Sequence, residues 1–244
     1  MKILELKHIS KNYHKIDNET QAIADVSFSV LKGELLCLVG PSGCGKSTLL
    51  SIISGLIKPS SGEVLLNSPV KLAYMPQRDH LFEWRDILSN ACIGLEIQKS
   101  KTPENVAFVT DLLVQYGLGD FMRHYPSQLS GGMRQRAALI RTLAVKPDIL
   151  LLDEPFSALD YQTRLYVADE ITGIIRQQKK TAIFVTHDIS EAVAVSDRVI
   201  VLSKRPARVS AEHEIKLTPG VKSREAPEFR EYFNQIWKEL DING

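Results

Sequence analysis

The stretch GPSGCGKST, Gly40 to Thr48, constrains this chain more than any other. It matches the spacing G-x-x-x-x-G-K-[ST] in full, which points to phosphate binding when a strand precedes it and a helix follows. Both neighbours are legible. ELLCLV, Glu34 to Val39, reads as a short apolar strand. TLLSIISGL follows with apolar residues at helical spacing and stops at Gly55, with Pro59 soon after. The glycines let the backbone wrap closely around a phosphate. Gly40, Pro41, Ser42, Gly43, Cys44 and Gly45 make the wrap, and Thr48 closes it. Lys46 can reach the β and γ phosphates of a nucleotide as a point charge. Ser47 supplies a hydroxyl oxygen for Mg²⁺, a hard cation that prefers oxygen. Cys44 is a small filler here, because the loop uses its amide and not its thiol.

The rest of the chain reads as strands alternating with helices. ILLLD, TAIFVTH and RVIVLS are short, continuous apolar runs bounded by turn residues. Helical patterns lie between them at Tyr161 to Gln178 and around Ser190 to Val195. Runs of this kind imply a parallel sheet covered on both faces. Ile3 to Ile9 and Ala22 to Val30 read as strands joined by a polar loop, HKIDNET. GEVLLN and KLAYM are two more short strands. Between Arg78 and Ala144 no strand pattern occurs, and Thr102 to Gly117 and Gly131 to Ala144 read as helices. Near the end, Phe229, Phe233, Ile236, Trp237 and Leu240 fall at helical spacing, which predicts a helix packed on its own core.

Composition closes off other classes. A hydrophobic fraction of 44% and a charged fraction of 24% are those of an ordinary globular protein. A net charge of +1 argues against nucleic acid as a partner. Three widely spaced cysteines, Cys37, Cys44 and Cys92, do not suggest a disulfide framework and fit a reducing compartment. The N-terminal MKILELKHIS does not have the form of a signal peptide, and no apolar run approaches membrane-spanning length.

Three strand ends gather further chemistry. Ligands of open parallel sheets bind beyond the C-terminal ends of the strands. ILLLDEP places Asp153 and Glu154 there. Asp153 suits Mg²⁺, through water, and Glu154 suits the orientation or deprotonation of an attacking water. His187 ends FVTHD on the same edge, where it can hydrogen-bond a γ-phosphate. Gln77, in YMPQ, ends another strand at the start of the helical insert and can touch Mg²⁺ or water.

A second glycine-rich helix start, LSGGM at Leu129 to Met133, has Ser130 in cap position. With the loop, the acidic strand end, Gln77 and His187, it resembles the nucleotide-binding subunit of ATP-binding cassette (ABC) transporters, from Tyr13 to about Arg208. The resemblance implies a RecA-like P-loop NTPase core with an antiparallel β portion and an inserted α-helical subdomain. The core would span 1–77 and 145–210, the insert 78–144 and a helical tail 211–244. It implies that Tyr13 stacks on adenine, that Gln77 is the Q-loop residue, and that Asp153 serves Mg²⁺. Glu154 would be the catalytic base, His187 the switch histidine, and SALD with Asp160 the D-loop. Met133 stands where the signature usually has Gln.

In that family two subunits face head to tail, so Ser130, Gly131 and Gly132 would contact the ATP of a partner copy. The implied cofactors are ATP and Mg²⁺. The implied partners are a second copy, integral-membrane permease subunits and, indirectly, a solute-binding protein, which puts the chain on the cytoplasmic face of the membrane. DEPFSALD resembles importer-associated cassettes. LSKRPARV, Leu202 to Val209, and MPQRDHLFEWRDILSN resemble segments of nitrate, sulfonate and taurine importer ATPases, with Glu83 where Pro is usual. Importers of thiamine-pyrimidine precursors have similar cassettes. Leu81, Phe82 and Trp84 lie where the family docks a permease helix, which predicts an apolar surface. A soluble ABC ATPase of the repair or cluster-assembly kind is the competing class. A P-loop kinase is disfavoured by the signature and by the long gap from Lys46 to Asp153.

Overall fold

The computed structural model describes residues 1–15, 18–67, 69–157, 159–218 and 223–242. Its frame is a single nine-stranded sheet. In chain order the strands are β1 (Lys2–Lys15), β2 (Asn18–Leu31), β3 (Leu35–Val39), β4 (Ser61–Leu66), β5 (Leu72–Met75), β6 (Ile149–Asp153), β7 (Thr181–Thr186), β8 (Arg198–Leu202) and β9 (Ala207–Glu214). The helices are α1 (Lys46–Ile53), α2 (Ile87–Ala91), α3 (Ile93–Ile97), α4 (Pro103–Gln115), α5 (Gly131–Ala144), α6 (Tyr161–Gln177), α7 (Ile189–Val195) and α8 (Phe229–Ile242).

Across the sheet the order is β4-β1-β2-β9-β8-β3-β7-β6-β5. The half from β8 to β5 is parallel, and β3, β6 and β7 are buried at every position. That explains their unbroken apolar runs: helices cover both faces, so neither set of alternating side chains meets water. The alternation is visible on β3. Leu35, Cys37 and Val39 join the core shared with α2 to α8, whereas Leu36 and Leu38 join the core beneath α1 and the β1–β2 arm.

The structure alters four details of the sequence reading. HKIDNET is mostly strand: β1 continues to Lys15 and β2 begins at Asn18, in register Lys15 with Asn18, while Ile16 and Asp17 lie outside the described residues. A two-stranded arm holds its ladder through the backbone and needs no apolar pattern. The helical insert also contains α2 and α3, five residues each, too short for a period to register. Strand β9 is the third. It pairs antiparallel with β8 and parallel with β2 at Ile23–Ala207 and Asp25–Arg208. It thereby joins the N-terminal antiparallel strands to the parallel half. Fourth, because β9 runs to Glu214, residues 211–214 belong to the sheet and not to a helical tail.

Helix α8 packs on the core as the spacing predicts. Ile236 is fully buried and Phe229, Phe233 and Leu240 are partly buried, while Trp237 remains exposed and stacks on Phe233. Among the described residues no helix is long and apolar enough to cross a membrane.

Candidate functional site

The phosphate loop leaves β3 at Val39 and enters α1 at Lys46. Two glycines adopt conformations that other residues resist: Gly43 at φ 73° and Gly45 at φ 122°. Gly45 is the N-cap of α1, and no side chain caps that helix. Its first-turn N–H groups point outward with the positive end of the dipole, which suits an anion. A Cβ on Gly40 would come within 2.9 Å of the Cys44 sulfur and 3.0 Å of the Leu202 carbonyl. Cys44 is thus the packed filler expected, and burial pushes its thiol up, away from nucleophilic use. All three cysteines are free and buried. Lys46 is buried, and its Nζ donates to the carbonyls of Gly40 (2.7 Å) and Pro41 (3.0 Å). The loop opens on a cleft of about 320 Å³ lined by Ser42, Gly43, Lys46, Ser47, Gln77 and Glu154, among others.

The predicted strand-end residues converge on this cleft. Ser47 Oγ donates to Asp153 Oδ1 at 3.0 Å, and the Tyr74 hydroxyl donates to Oδ2 at 3.3 Å. Burial pushes the Asp153 carboxyl up, against the two hydrogen bonds. Tyr74 is pushed up to about 12, by its own burial and then by the Asp153 charge. A hydroxyl and a buried carboxylate in contact beside a phosphate loop form a hard-oxygen donor set, and a divalent cation relieves the cost of burying that charge. The residues fit Mg²⁺.

Glu154 stands at φ 47°, the left-handed region, strained for a residue with a Cβ. The strain is held by its surroundings. Its N–H donates to the Val185 carbonyl, and its own carbonyl accepts from Ser157 Oγ (3.0 Å) and Gln135 Nε2 (3.4 Å). Its carboxylate accepts from Gln77 Nε2 at 2.9 Å and lies 3.3 Å from His187 Nδ1. Gln77, Glu154 and His187 form one cluster, with His187 the more exposed. Tyr13 is partly exposed beside the loop, its hydroxyl 3.5 Å from Thr48 Oγ1 and the Lys11 ammonium 5.3 Å above its ring. A second groove of about 320 Å³ borders Gly40, Ser42 and His187 and is walled by Ile189, Trp237 and Leu240.

Ser130, Gly131 and Gly132 do not line the phosphate cleft. Ser130 caps α5, accepting from the Met133 N–H at 3.3 Å, and is exposed. A Cβ on Gly132 would meet Leu159 Cδ2 at 2.4 Å, so the signature turn rests directly on the SALD segment. In that segment Ala158 lies outside the described residues, and Asp160 is exposed and caps α6 through the Thr163 N–H at 3.0 Å. The hydrogen bonds with Thr163 hold its carboxyl below the usual range. The α5 helix also grips the segment after Gln77: Arg134 Nε donates to Asp79 Oδ2 at 3.1 Å and Arg141 Nη1 to the His80 carbonyl at 2.7 Å. The expected apolar surface is Trp84, 73% exposed, with the ring of partly buried Phe82 tilted against it 4.9 Å away. Leu81 is instead part of the core.

Sequence reasoning missed Tyr74, Gln135 and Arg134. Tyr74 carried a weak signal, a hydroxyl-bearing residue within a short apolar strand. Gln135 and Arg134 looked like the polar face of an amphipathic helix, and only tertiary contact reveals what they hold.

Residues 23–157 match the family profile described as ABC transporter. The chain is 44% identical to the uncharacterized ABC transporter ATP-binding protein YtlC of Bacillus subtilis, over 99% of this chain and 96% of that protein. It is 36% identical to the taurine import ATP-binding protein TauB of Roseobacter denitrificans, over 99% and 97%. Among solved structures it is similar to the dimeric post-hydrolysis state of the ATP-binding cassette MJ0796 bound to ADP and Pi. That match has a TM-score of 0.77 and 29% identity, over 88% of this chain and 99% of that one.

Proposed function

The chain belongs to the ABC transporter family of ATP-binding proteins, binds ATP with Mg²⁺ and hydrolyses it; from that premise we propose that two copies, docked on separate membrane permeases, energise import of a small anion of the nitrate, sulfonate or taurine class. The observation that carries the dimeric reading is a separation. Gln77 and Glu154 line the phosphate cleft, with His187 held 3.3 Å from Glu154, whereas Ser130, Gly131 and Gly132 stand outside it on an exposed helix start. A second copy placed head to tail supplies each cleft with the missing signature, and the shared interface is isologous. The dimer recorded for MJ0796 supports this arrangement.

Within each site the residues divide the work. Gly40 to Thr48 wrap the phosphates, Lys46 places a cation against the β and γ groups, and Tyr13 stacks on adenine. Ser47 and Asp153, with Gln77 beside them, would hold Mg²⁺, which when bound neutralises phosphate charge. Glu154 takes a proton from the attacking water, and His187, paired with it, orients the γ-phosphate. Asp160 fixes the start of α6 beside the interface. Residues 1–77 and 145–210 serve as the nucleotide core. Residues 78–144, with exposed Trp84, meet the permease on the cytoplasmic face of the membrane. A binding protein delivers the solute to the permease from the other side.

Glu154→Gln tests the mechanism. Hydrolysis should fall by about 10²–10⁴, and gel filtration with ATP should show a dimer that the nucleotide-free protein lacks. Wild-type turnover, or a monomer at saturating ATP, would overturn the assignment. Taurine or nitrate uptake into vesicles carrying the chain with its permease tests the solute class, and uptake of neither removes it.

A further inference from the structure

Arg164 sits in the first turns of α6, a helix with no acid in its first turn. A cation at the positive end of a helix is unfavourable, so its place there needs another source of stability. Its guanidinium supplies one by bridging two loops. Nη2 donates to the Leu159 carbonyl at 3.0 Å, and Nη1 lies 3.6 Å from Asp188 Oδ2, with both side chains partly buried. Leu159 is the residue whose side chain rests on Gly132 of the signature turn. Asp188 follows His187 directly and caps α7, its Oδ1 accepting from the Glu191 N–H at 3.1 Å. The Asp188 N–H donates to Thr186 Oγ1 at 3.0 Å, and the Thr186 hydroxyl donates to Glu191. The backbone on both sides of His187 is thus fixed by a network in which Arg164 is the cationic member, and His187 itself lies 3.3 Å from Glu154.

We propose that Arg164 is a positioning residue that ties the signature turn, through Leu159, to the loop carrying His187. On this view, engagement of a chain's own signature with ATP held by its partner sets where its own His187 stands relative to Glu154. The two sites of the dimer are then linked through each chain as well as across the interface. The inference rests on the assignment of Glu154 and His187 given above. Arg164 touches neither substrate nor metal in this scheme and acts only by placement.

The test is steady-state ATP hydrolysis by the full chain carrying Arg164→Met, Arg164→Lys, Asp188→Asn, and Arg164→Met with Asp188→Asn. Misplacing a catalytic group by a fraction of an ångström costs turnover far more than binding. Arg164→Met should therefore lower kcat about tenfold or more, with KM for ATP and binding of a fluorescent ATP analogue within about twofold. Lys keeps the charge but cannot fork to both partners, so Arg164→Lys should fall between. Asp188→Asn keeps the cap and loses the pair. The double variant should be no slower than the slower single variant, because both remove one link. Should Arg164→Met fail to fold, Arg164→Lys and Asp188→Asn still decide the matter, with thermal melting as the control. Wild-type kcat in Arg164→Met, a rise in KM at constant kcat, or losses that multiply in the double variant would overturn the proposal. Glu154→Gln run alongside separates the two levels: if it hydrolyses ATP normally the underlying assignment fails, and if only it is impaired the Arg164 link alone fails.

Discussion

The chain carries two glycine-rich helix starts, and they are built differently. At α1 the cap is Gly45, no side chain occupies the helix end, and the following Lys46 is buried against the loop's own carbonyls. At α5 the cap is Ser130, which satisfies one N–H itself through a long 3.3 Å contact and otherwise faces outward. The first opens on the phosphate cleft, which Lys46 and Ser47 of the same helix line. At the second, Arg134 is turned onto the Leu129 carbonyl and Asp79, Ser130 to Gly132 lie outside the phosphate cleft, and Gly132 leaves room for Leu159 on one side. Similar sequence grammar thus specifies a helix start that lines the cleft in one place and one that stands outside it in the other.

The largest expected effect breaks the first start. Lys46→Ala should weaken ATP binding by about a hundredfold or more and leave no measurable hydrolysis, read by calorimetry and phosphate release. Near-normal affinity would mean the two starts are equivalent after all. Next, Ser130→Arg should cut hydrolysis by about a hundredfold while ATP binding by the monomer stays within about twofold. Loss of the cap itself costs only about 1 kcal/mol of stability. If monomer binding fell as well, the signature would be acting in its own chain's cleft. Gly132→Asp is a poorer probe, since a Cβ there meets Leu159 Cδ2 at 2.4 Å and that side chain must turn aside, so a loss of hydrolysis would mix two causes. A smaller effect is expected at the adenine side. Tyr13→Ala should raise KM for ATP about three- to tenfold with kcat unchanged, the worth of one stacking contact, and Tyr13→Trp should restore it.

The smallest effect lies behind the first site. Glu191 is pushed up to about 7 from an ordinary 4.5, by burial first, with the Asp188 charge adding to it and the Thr186 hydroxyl bond and the Arg164 charge opposing it. A carboxyl held above its ordinary value makes folding take up a proton between those pH values. Its charge therefore costs stability fully above about pH 7 and not at all below about pH 4.5. Glu191→Gln should melt a few degrees higher than wild type at pH 8, with the gap closing as pH falls towards 5. Parallel melting curves across that range would show that the buried charge is matched in the fold.

Much of this was legible in the linear sequence, for physical reasons. A phosphate loop must sit between strand and helix, and fully buried parallel strands must be continuously apolar, so β3, β6, β7 and β8 announced themselves. Asp153, Glu154 and His187 were legible because they end such strands, and Gln77 because it ends the short strand β5 at the start of the helical insert. The residues that hold them were not. Tyr74 and Gln135 act through contacts with segments far away in sequence, Arg164 and Glu191 through loops that only the fold closes on them, and each belongs to a type common on ordinary helices and strands. Strand β9 escaped because its outward residues are Arg208, Ser210, Glu212 and Glu214, a polar set on a strand whose role lies in its backbone. Leu81 was misjudged because an apolar triplet in a loop does not reveal which member turns inward.

Strand β9 also carries a consequence for how the protein is made. Among the described residues it is the strand that pairs with both β2 and β8, yet its partner Ile23 precedes it by most of the chain. During synthesis the β1–β2 arm leaves the ribosome early, and its β2 edge stays open after β4 has covered β1. The parallel strands follow, and the two halves join only when Ala207 and its neighbours emerge. Contacts so distant in sequence form slowly, and exposed edges invite pairing with other chains in the interval. A nascent chain interrupted before Ala207 would therefore hold every motif for nucleotide chemistry and still lack the strand that makes one body of it.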